Sequence, residues 1–166
     1  MNRAPSITRS ATIFLQFVIV LIALGALALL LWEPHVEGRN AHATTFEIYF
    51  HDPFLAYAYT ASIAFFVALF QAFKLLGNVR RNEVFSLQSV RALRTIKYCA
   101  ITLVAMIGGA LAYIGIVVRG KDDIAGGVAI GLALGFIFVV LGSAAAVSER
   151  LLQNAVDMKA ENDLTV

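Results

Sequence analysis

Charged residues are missing from four long stretches of this chain, and their absence is more informative than any motif in it. Runs of 23, 21, 21 and 25 uncharged residues lie between Arg9 and Glu33, Asp52 and Lys74, Lys97 and Arg119, and Asp123 and Glu149. About 20 apolar residues suffice for a helix to cross roughly 30 Å of hydrocarbon. We therefore predict an all-α fold, a four-transmembrane-helix bundle, in which residues 1–166 form a single membrane domain.

Charge is also scarce in the chain as a whole. Charged residues make up 14% and hydrophobic residues 60% of the sequence, against about 25% and 45–50% in soluble domains.

The first run is longer than the apolar core of a signal peptide, so we interpret it as an uncleaved span. The predicted segments are spans at about 11–32, 54–73, 98–118 and 124–148, a loop at 74–97 and a tail at 149–166.

Lysine and arginine are distributed unevenly among the loops, and this bias sets the orientation of a membrane protein. We predict that the N-terminus, the loop 74–97 and the C-terminal tail are all cytoplasmic. In that orientation three basic residues lie outside the cytoplasm, at Arg39, Arg119 and Lys121. The ten on the cytoplasmic side are Arg3, Arg9, Lys74, Arg80, Arg81, Arg91, Arg94, Lys97, Arg150 and Lys159.

Catalytic and metal-binding motifs are missing too. The sequence has no HExxH, no GxxxxGK[ST] and no Ser, His and Asp set within one region, and its single cysteine, Cys99, excludes an intramolecular disulfide. The three histidines share the predicted outer loop 33–52 with four carboxylates, but without the spacing of metal ligands. We predict a non-enzymatic protein with no metal and no cofactor. The middle of each span lacks ionisable residues, which argues against ion-coupled transport.

Milder polar side chains occupy the spans instead. Such groups hydrogen-bond to neighbouring helices because lipid offers them no partner. We expect most of them to join helices in this way, and they are Gln16, Tyr57, Tyr59, Thr60, Ser62, Gln71, Thr102, Tyr113 and Ser143.

Glycine recurs at every fourth position in the fourth span. Glycines at this spacing share one helix face and let another backbone approach closely. The short connection between spans three and four makes them antiparallel neighbours, so we favour packing of span four against a small-residue face of span three. A homo-oligomeric contact or a pore lining is the alternative. The residues concerned are Gly127, Gly131 and Gly135 in span four, and Gly108, Ala112 and Gly115 in span three.

The loop 74–97 combines basic residues with an amphipathic pattern. Gly77 and Asn78 fit the end of span two, and Ser86 fits the N-cap of a new helix that runs into span three. Such a segment suits the membrane interface, where its cations meet anionic lipid heads. A purely topogenic loop is the alternative, and direct nucleic-acid binding is not expected. The candidate contacts with a partner or with lipid are Arg80, Arg81, Phe85, Arg91 and Arg94.

The C-terminal tail is predicted to continue span four as a helix. Its weak apolar stripe consists of Leu151, Leu152, Ala155, Val156 and Met158. Its polar face consists of Glu149, Arg150, Asp157, Lys159, Glu161 and Asp163.

Residues 78–96 resemble a known family. The run Asn78-Val79-x-x-Asn82-Glu83-Val84-Phe85-Ser86-x-x-Ser89-Val90-x-x-Leu93-Arg94-x-Ile96 resembles a signature of a prokaryotic membrane family catalogued as domain of unknown function 2975. The closing Glu161-Asn162-Asp163-Leu164-Thr165-Val166 is similar to that family's habitual ending. Members usually have Gly where this sequence has Asn82 and Pro where it has Val84. The resemblance implies a bacterial inner-membrane location and a frequent genomic neighbour, a small helix-turn-helix regulator of the repressor type.

Together these observations predict an integral membrane protein that binds or sequesters a cytoplasmic partner, such as that regulator. Its other contact is the lipid bilayer. One alternative is a small transport or permeability component that forms a homo-oligomer through the glycines of span four. Another is an accessory subunit of a larger membrane complex.

Overall fold

Four long helices account for most of the residues that the structure describes. The structure is a computed structural model, and it describes residues 6–32, 53–118 and 125–164. The predicted outer loop 33–52, with its three histidines, and the turn 119–124 lie outside the described residues. The helices are α1 (Ser6–Trp32), α2 (Pro53–Arg80), α3 (Leu87–Tyr113), which passes into a π-helical turn (Ile114–Val118), and α4 (Ala125–Leu164).

Each helix is long and apolar enough to cross a membrane, which confirms the predicted all-α, four-span fold. Outward-facing side chains along the helices are apolar and large: Trp32 is 74% exposed, Phe136 is 70% exposed and Ile116 is 82% exposed. Apolar surface of this extent is stable against lipid and not against water. Helices suit that environment because their backbone hydrogen bonds are made within each segment. The chain is therefore a multi-pass membrane protein.

Helix α4 is longer than a bilayer requires. Its 40 residues span about 60 Å at 1.5 Å per residue, about twice the thickness of the hydrocarbon core. The uncharged part of this helix is residues 125–148, so the excess is at the C-terminal end. This continuous helix confirms that the tail extends span four.

The helices pack in chain order, with α1 against α2, α2 against α3 and, most extensively, α3 against α4. Glycines of α4 allow the backbones of α3 and α4 to approach each other closely. A Cβ added to Gly131 would lie 2.7 Å from Leu111 Cδ2, and one added to Gly142 would lie 3.1 Å from Ala100 Cβ. Both distances are shorter than ordinary contact, so these two glycines accommodate the side chains of α3.

The face of α3 that meets α4 differs from the small-residue face that the sequence predicts. A Cβ added at Gly108 or Gly115 would meet nothing within 4 Å among the described residues. The glycine notches of α4 instead receive Leu111 and Ala100 of α3, because ridges pack into grooves. Of the other predicted glycines, a Cβ at Gly135 would lie 3.7 Å from Ile107, and one at Gly127 would meet nothing within 4 Å.

Three polar side chains join neighbouring helices, as the sequence predicts. A Cβ added at Gly109 would lie 2.9 Å from the Tyr57 hydroxyl, so this glycine gives Tyr57 access to the backbone of α3. Bonds of this kind contribute roughly 0.6–2 kcal/mol each. Gln16 Nε2, the Tyr57 hydroxyl and the Tyr59 hydroxyl donate to the carbonyls of Phe73, Met106 and Leu30, at 3.3, 2.6 and 2.9 Å respectively.

The same prediction is wrong for four hydroxyl side chains. Each donates to a carbonyl of its own helix, three or four residues earlier, and not to a neighbouring helix. A Ser or Thr hydroxyl reaches this carbonyl without any help from packing. The four residues are Thr60, Ser62, Thr102 and Ser143.

Candidate functional site

The chain reverses direction between α2 and α3 through residues 80–87, which we call the elbow and which include the last residue of α2 and the first of α3. Helix α2 ends in a Schellman motif, in which the Glu83 N–H donates to the Asn78 carbonyl at 2.9 Å and the Asn82 N–H donates to the Val79 carbonyl at 3.1 Å. This motif needs a residue in the left-handed conformation, and Asn82 has a φ of 60°. Asparagine adopts that conformation more readily than most residues.

The end of α2 lies beyond its predicted position. The sequence indicates an end at Gly77 and Asn78, but the helix continues to Arg80. The left-handed residue that stops it is Asn82.

Buried hydrogen bonds fix the elbow to both helices. Ser86 is the N-cap of α3, as the sequence predicts, and its Oγ accepts a hydrogen bond from the Ser89 N–H at 3.3 Å. Asn78 of α2 donates from Nδ2 to Ser89 Oγ at 3.1 Å, and the Ser89 hydroxyl lies 3.3 Å from the Glu83 carbonyl, to which it donates. Asn78 and Ser89 are both buried. Since an unsatisfied buried polar group costs about 1–3 kcal/mol, these bonds hold the elbow in one conformation.

Three of the predicted contact residues project from this fixed backbone. Arg80, Arg81 and Phe85 are exposed, and 59% of the surface of Phe85 is accessible. Leu87, at the first position of α3, is also exposed. Within the part of the chain that the structure describes, neither guanidinium forms an ion pair. The elbow thus presents two cations beside an apolar surface.

The fourth predicted residue, Arg94, lies on another face and forms an ion pair with α4. Its Nε lies 2.6 Å from Glu149 Oε1, while Lys97 Nζ lies 2.5 Å from Glu149 Oε2. The Glu149 side chain is only 9% exposed, whereas that of Arg94 is 52% exposed. We call these three residues the ion triad. Sequence reasoning missed the role of Glu149, although it is the first charged residue after the fourth uncharged run.

The fifth predicted residue, Arg91, lines a cleft between α2 and α3 together with Lys74. The predicted set is therefore divided among three environments: the elbow, the ion triad and this cleft. The elbow and the cleft contain cations and amides, which bind acidic groups, and the elbow also contains an aromatic ring, which binds apolar surfaces. In the described residues no group of three His, Cys, Asp or Glu side chains could hold a metal ion.

Comparison with known proteins agrees with this picture of a membrane protein. A sequence model described as "Protein of unknown function (DUF2975)" matches residues 37–166. The chain belongs to the DUF2975 family. It is also 40% identical, over 159 residues, to the "Uncharacterized membrane protein YoaS" of Bacillus subtilis (strain 168), with 95% of this chain and 99% of the relative covered. No solved structure matches the chain. The family match includes the elbow, the ion triad and the cleft, whereas α1 precedes it.

Proposed function

We propose that this chain is a non-enzymatic protein of the bacterial inner membrane that holds a cytoplasmic protein partner through its elbow. The observation that carries this proposal is the exposure of Arg80, Arg81 and Phe85 on a backbone that buried hydrogen bonds hold fixed. The partner that we propose is a small helix-turn-helix regulator, which the family resemblance implies as a genomic neighbour. Binding would keep it at the membrane.

The chemistry of the elbow favours a protein partner with an acidic rim around an apolar pocket. Arginine and aromatic residues are enriched among the residues that dominate binding at protein interfaces. A surface that is already ordered loses less conformational entropy on binding, and the Schellman motif and the Ser86 cap order this one. Phe85 and Leu87 would enter the pocket, and the two guanidinium groups would pair with carboxylates at its edge.

The proposal requires the elbow to face the cytoplasm, with both termini on the same side. The ten-to-three distribution of basic residues supports this orientation. A test uses Glu83→Cys, at an exposed position, in a Cys99→Ser background, which leaves one thiol, at the elbow. A maleimide that cannot cross membranes should label it in inverted vesicles and not in intact cells. Labelling in intact cells alone would contradict the orientation.

Oligomerisation of α4 to form a transport component has less support. Gly131 and Gly142 already contact α3, so part of the glycine face is occupied within one chain. A role as an accessory subunit of a larger complex also uses an exposed elbow, and co-purification distinguishes it by the identity of the protein recovered.

The decisive experiment is co-purification of the full-length chain, in mild detergent, with the regulator encoded beside its gene. The test variant carries Arg80→Glu, Arg81→Glu and Phe85→Ala. The matched control carries Arg150→Glu and Lys159→Glu, which make the same charge change on exposed positions of α4. We expect the wild type and the control to retain the regulator, and the elbow variant to lose it.

Two results would overturn the proposal. One is the absence of any association between the wild-type chain and the regulator, with unchanged expression of the regulator's target genes in a deletion strain. The other is equal loss of binding in the elbow variant and the α4 control, because this would indicate attraction by net charge and not recognition by the elbow.

A further inference from the structure

Two matching polar stripes face each other between the end of α2 and the start of α3. Each stripe has side chains at positions i, i+3 and i+7, which share one face of a helix. Together they line a partly enclosed cleft of about 260 Å³. The stripes are Gln71, Lys74 and Asn78 on α2, and Gln88, Arg91 and Thr95 on α3.

The cleft holds two cations and no carboxylate. Lys74 and Arg91 form no ion pair within the described residues, and the other polar groups of the lining are amides and a hydroxyl. Lys74 Nζ lies 5.5 Å from the centre of the Phe70 ring, which places the aromatic ring beside the cation. Two like charges that share one cleft repel each other, so the cleft is electrostatically suited to an anion.

We propose that this cleft binds a phosphate group. The planar guanidinium of Arg91 donates two parallel hydrogen bonds to phosphate oxygens, and the ammonium of Lys74 acts as a compact charge. The amides of Gln71 and Gln88 supply neutral donors beside them. Asn78 already donates to Ser89, and the Thr95 hydroxyl donates to the Arg91 carbonyl, so these two residues shape the cleft.

The size and position of the cleft restrict its ligand to a small phosphate group. Pockets for drug-sized ligands usually measure about 300–1,000 Å³, so this cleft admits a headgroup more readily than a large cofactor. It lies where the uncharged run of α2 ends, at Lys74, and just before that of α3 begins, after Lys97. That level is the polar boundary of the bilayer. An anionic phospholipid headgroup and a soluble phosphate both present the required chemistry there.

Binding to the purified full-length protein tests the proposal, with two probes used in separate arms. In the first arm, phosphatidylglycerol is titrated into the detergent-solubilised protein and lipid adducts are counted by native mass spectrometry. Phosphatidylcholine, whose choline cation offsets its phosphate, is the reference. In the second arm the probe is inorganic phosphate, and its affinity is measured by isothermal calorimetry.

The key comparison is between two variants that each lose two positive charges. Lys74→Gln with Arg91→Gln should weaken binding of the recognised probe about tenfold or more, because two charge-assisted contacts are lost. Arg150→Gln with Lys159→Gln removes the same charge from exposed positions of α4, which does not line the cleft, and should leave binding within about twofold because exposed charges outside the site are screened. The pair Lys74→Arg with Arg91→Lys keeps both charges and should retain most of the binding.

Each result has one meaning. Selective loss of phosphatidylglycerol binding in the cleft variant supports the proposal and identifies a lipid headgroup as the ligand. Selective loss of inorganic phosphate binding supports it and identifies a soluble ligand. Equal loss in both Gln variants, or no loss in either arm, overturns it. The regulator has no part in this assay, so failure here leaves the proposed role of the elbow to its own test.

Discussion

Helix α3 carries basic residues on two faces, one towards α4 and one towards α2, and the two faces differ in how those charges are compensated. Towards α4, Arg94 and Lys97 both reach the oxygens of Glu149, at 2.6 and 2.5 Å. Towards α2, Arg91 shares a cleft with Lys74 and meets no carboxylate there. Basic residues of one helix therefore differ in environment: Arg94 and Lys97 pair with a carboxylate of the protein, whereas Arg91 lines an open cleft.

The two faces should respond differently to the loss of charge. A buried carboxylate is costly unless cations and hydrogen bonds compensate it, so the ion triad is tied to the stability of the α3–α4 contact. The cations of the cleft remain accessible, and each keeps much of its hydration. Loss of charge should therefore affect stability on the α4 side and binding on the α2 side.

The largest effect is expected for Glu149→Gln. An amide in place of the carboxylate leaves Arg94 and Lys97 without their counter-charge, at a position where the Glu149 side chain is only 9% exposed. We expect the free energy of unfolding to fall by about 2–3 kcal/mol. Reversible unfolding in mixed micelles measures this change.

Glu83→Gln is the control for Glu149→Gln, because it removes an exposed carboxylate and should cost less than about 0.5 kcal/mol. A double-mutant cycle with Arg94→Gln should show that the two losses are not additive, because both substitutions remove the same ion pair. Equal effects of the two Glu substitutions would contradict the distinction between the two faces.

A smaller loss is expected for Ser89→Ala, on the side of α3 that meets α2. The change leaves the buried Asn78 amide without its acceptor and removes the bond to the Glu83 carbonyl. The free energy of unfolding should fall by about 1–2 kcal/mol in the same micelle assay. Ser143→Ala, at an exposed serine that bonds only to its own helix, is the matched control and should be nearly neutral. An equal fall in the free energy of unfolding for the two variants would contradict a specific contribution of the Ser89 hydrogen bonds to stability.

Much of the fold was predictable from the sequence because one physical constraint dominates it. Charge-free runs long enough to cross hydrocarbon locate the spans, and the N-cap at Ser86 follows from local chemistry. The face of α3 that meets α4 was not predictable, because small residues mark several possible grooves and only packing selects one. The four hydroxyls that bond to their own helices were missed for a related reason: local carbonyls compete with distant ones.

The site was predicted in composition but not in arrangement. The basic residues of the loop were identified, yet their division into elbow, ion triad and cleft depends on which helix faces each position. A signal for the cleft was present: polar residues at i, i+3 and i+7 in both Gln71–Asn78 and Gln88–Thr95, on consecutive helices. The partner of Arg94 is 55 residues away along the chain, and no local pattern indicates a pairing over that distance.

For Asn82→Ala we expect the free energy of unfolding to fall by about 1 kcal/mol. This variant tests the contribution of the turn that holds α2 and α3 on either side of the cleft. Alanine is strained in the left-handed conformation that this position adopts. Asn82→Gly should be neutral or slightly stabilising in the same unfolding assay because glycine adopts a positive φ without strain. Equal losses for the two variants would contradict a role for the backbone conformation and indicate one for the asparagine side chain.

The smallest effect on stability is expected for Lys74→Gln combined with Arg91→Gln. Both side chains are exposed and form no ion pair in the described part of the chain, so the free energy of unfolding should change by no more than about 0.5 kcal/mol. Relief of the repulsion between the two cations would make the change slightly stabilising. A loss comparable to that of Glu149→Gln would mean that the cleft, like the ion triad, is part of the internal packing, and the two faces of α3 would then have the same role.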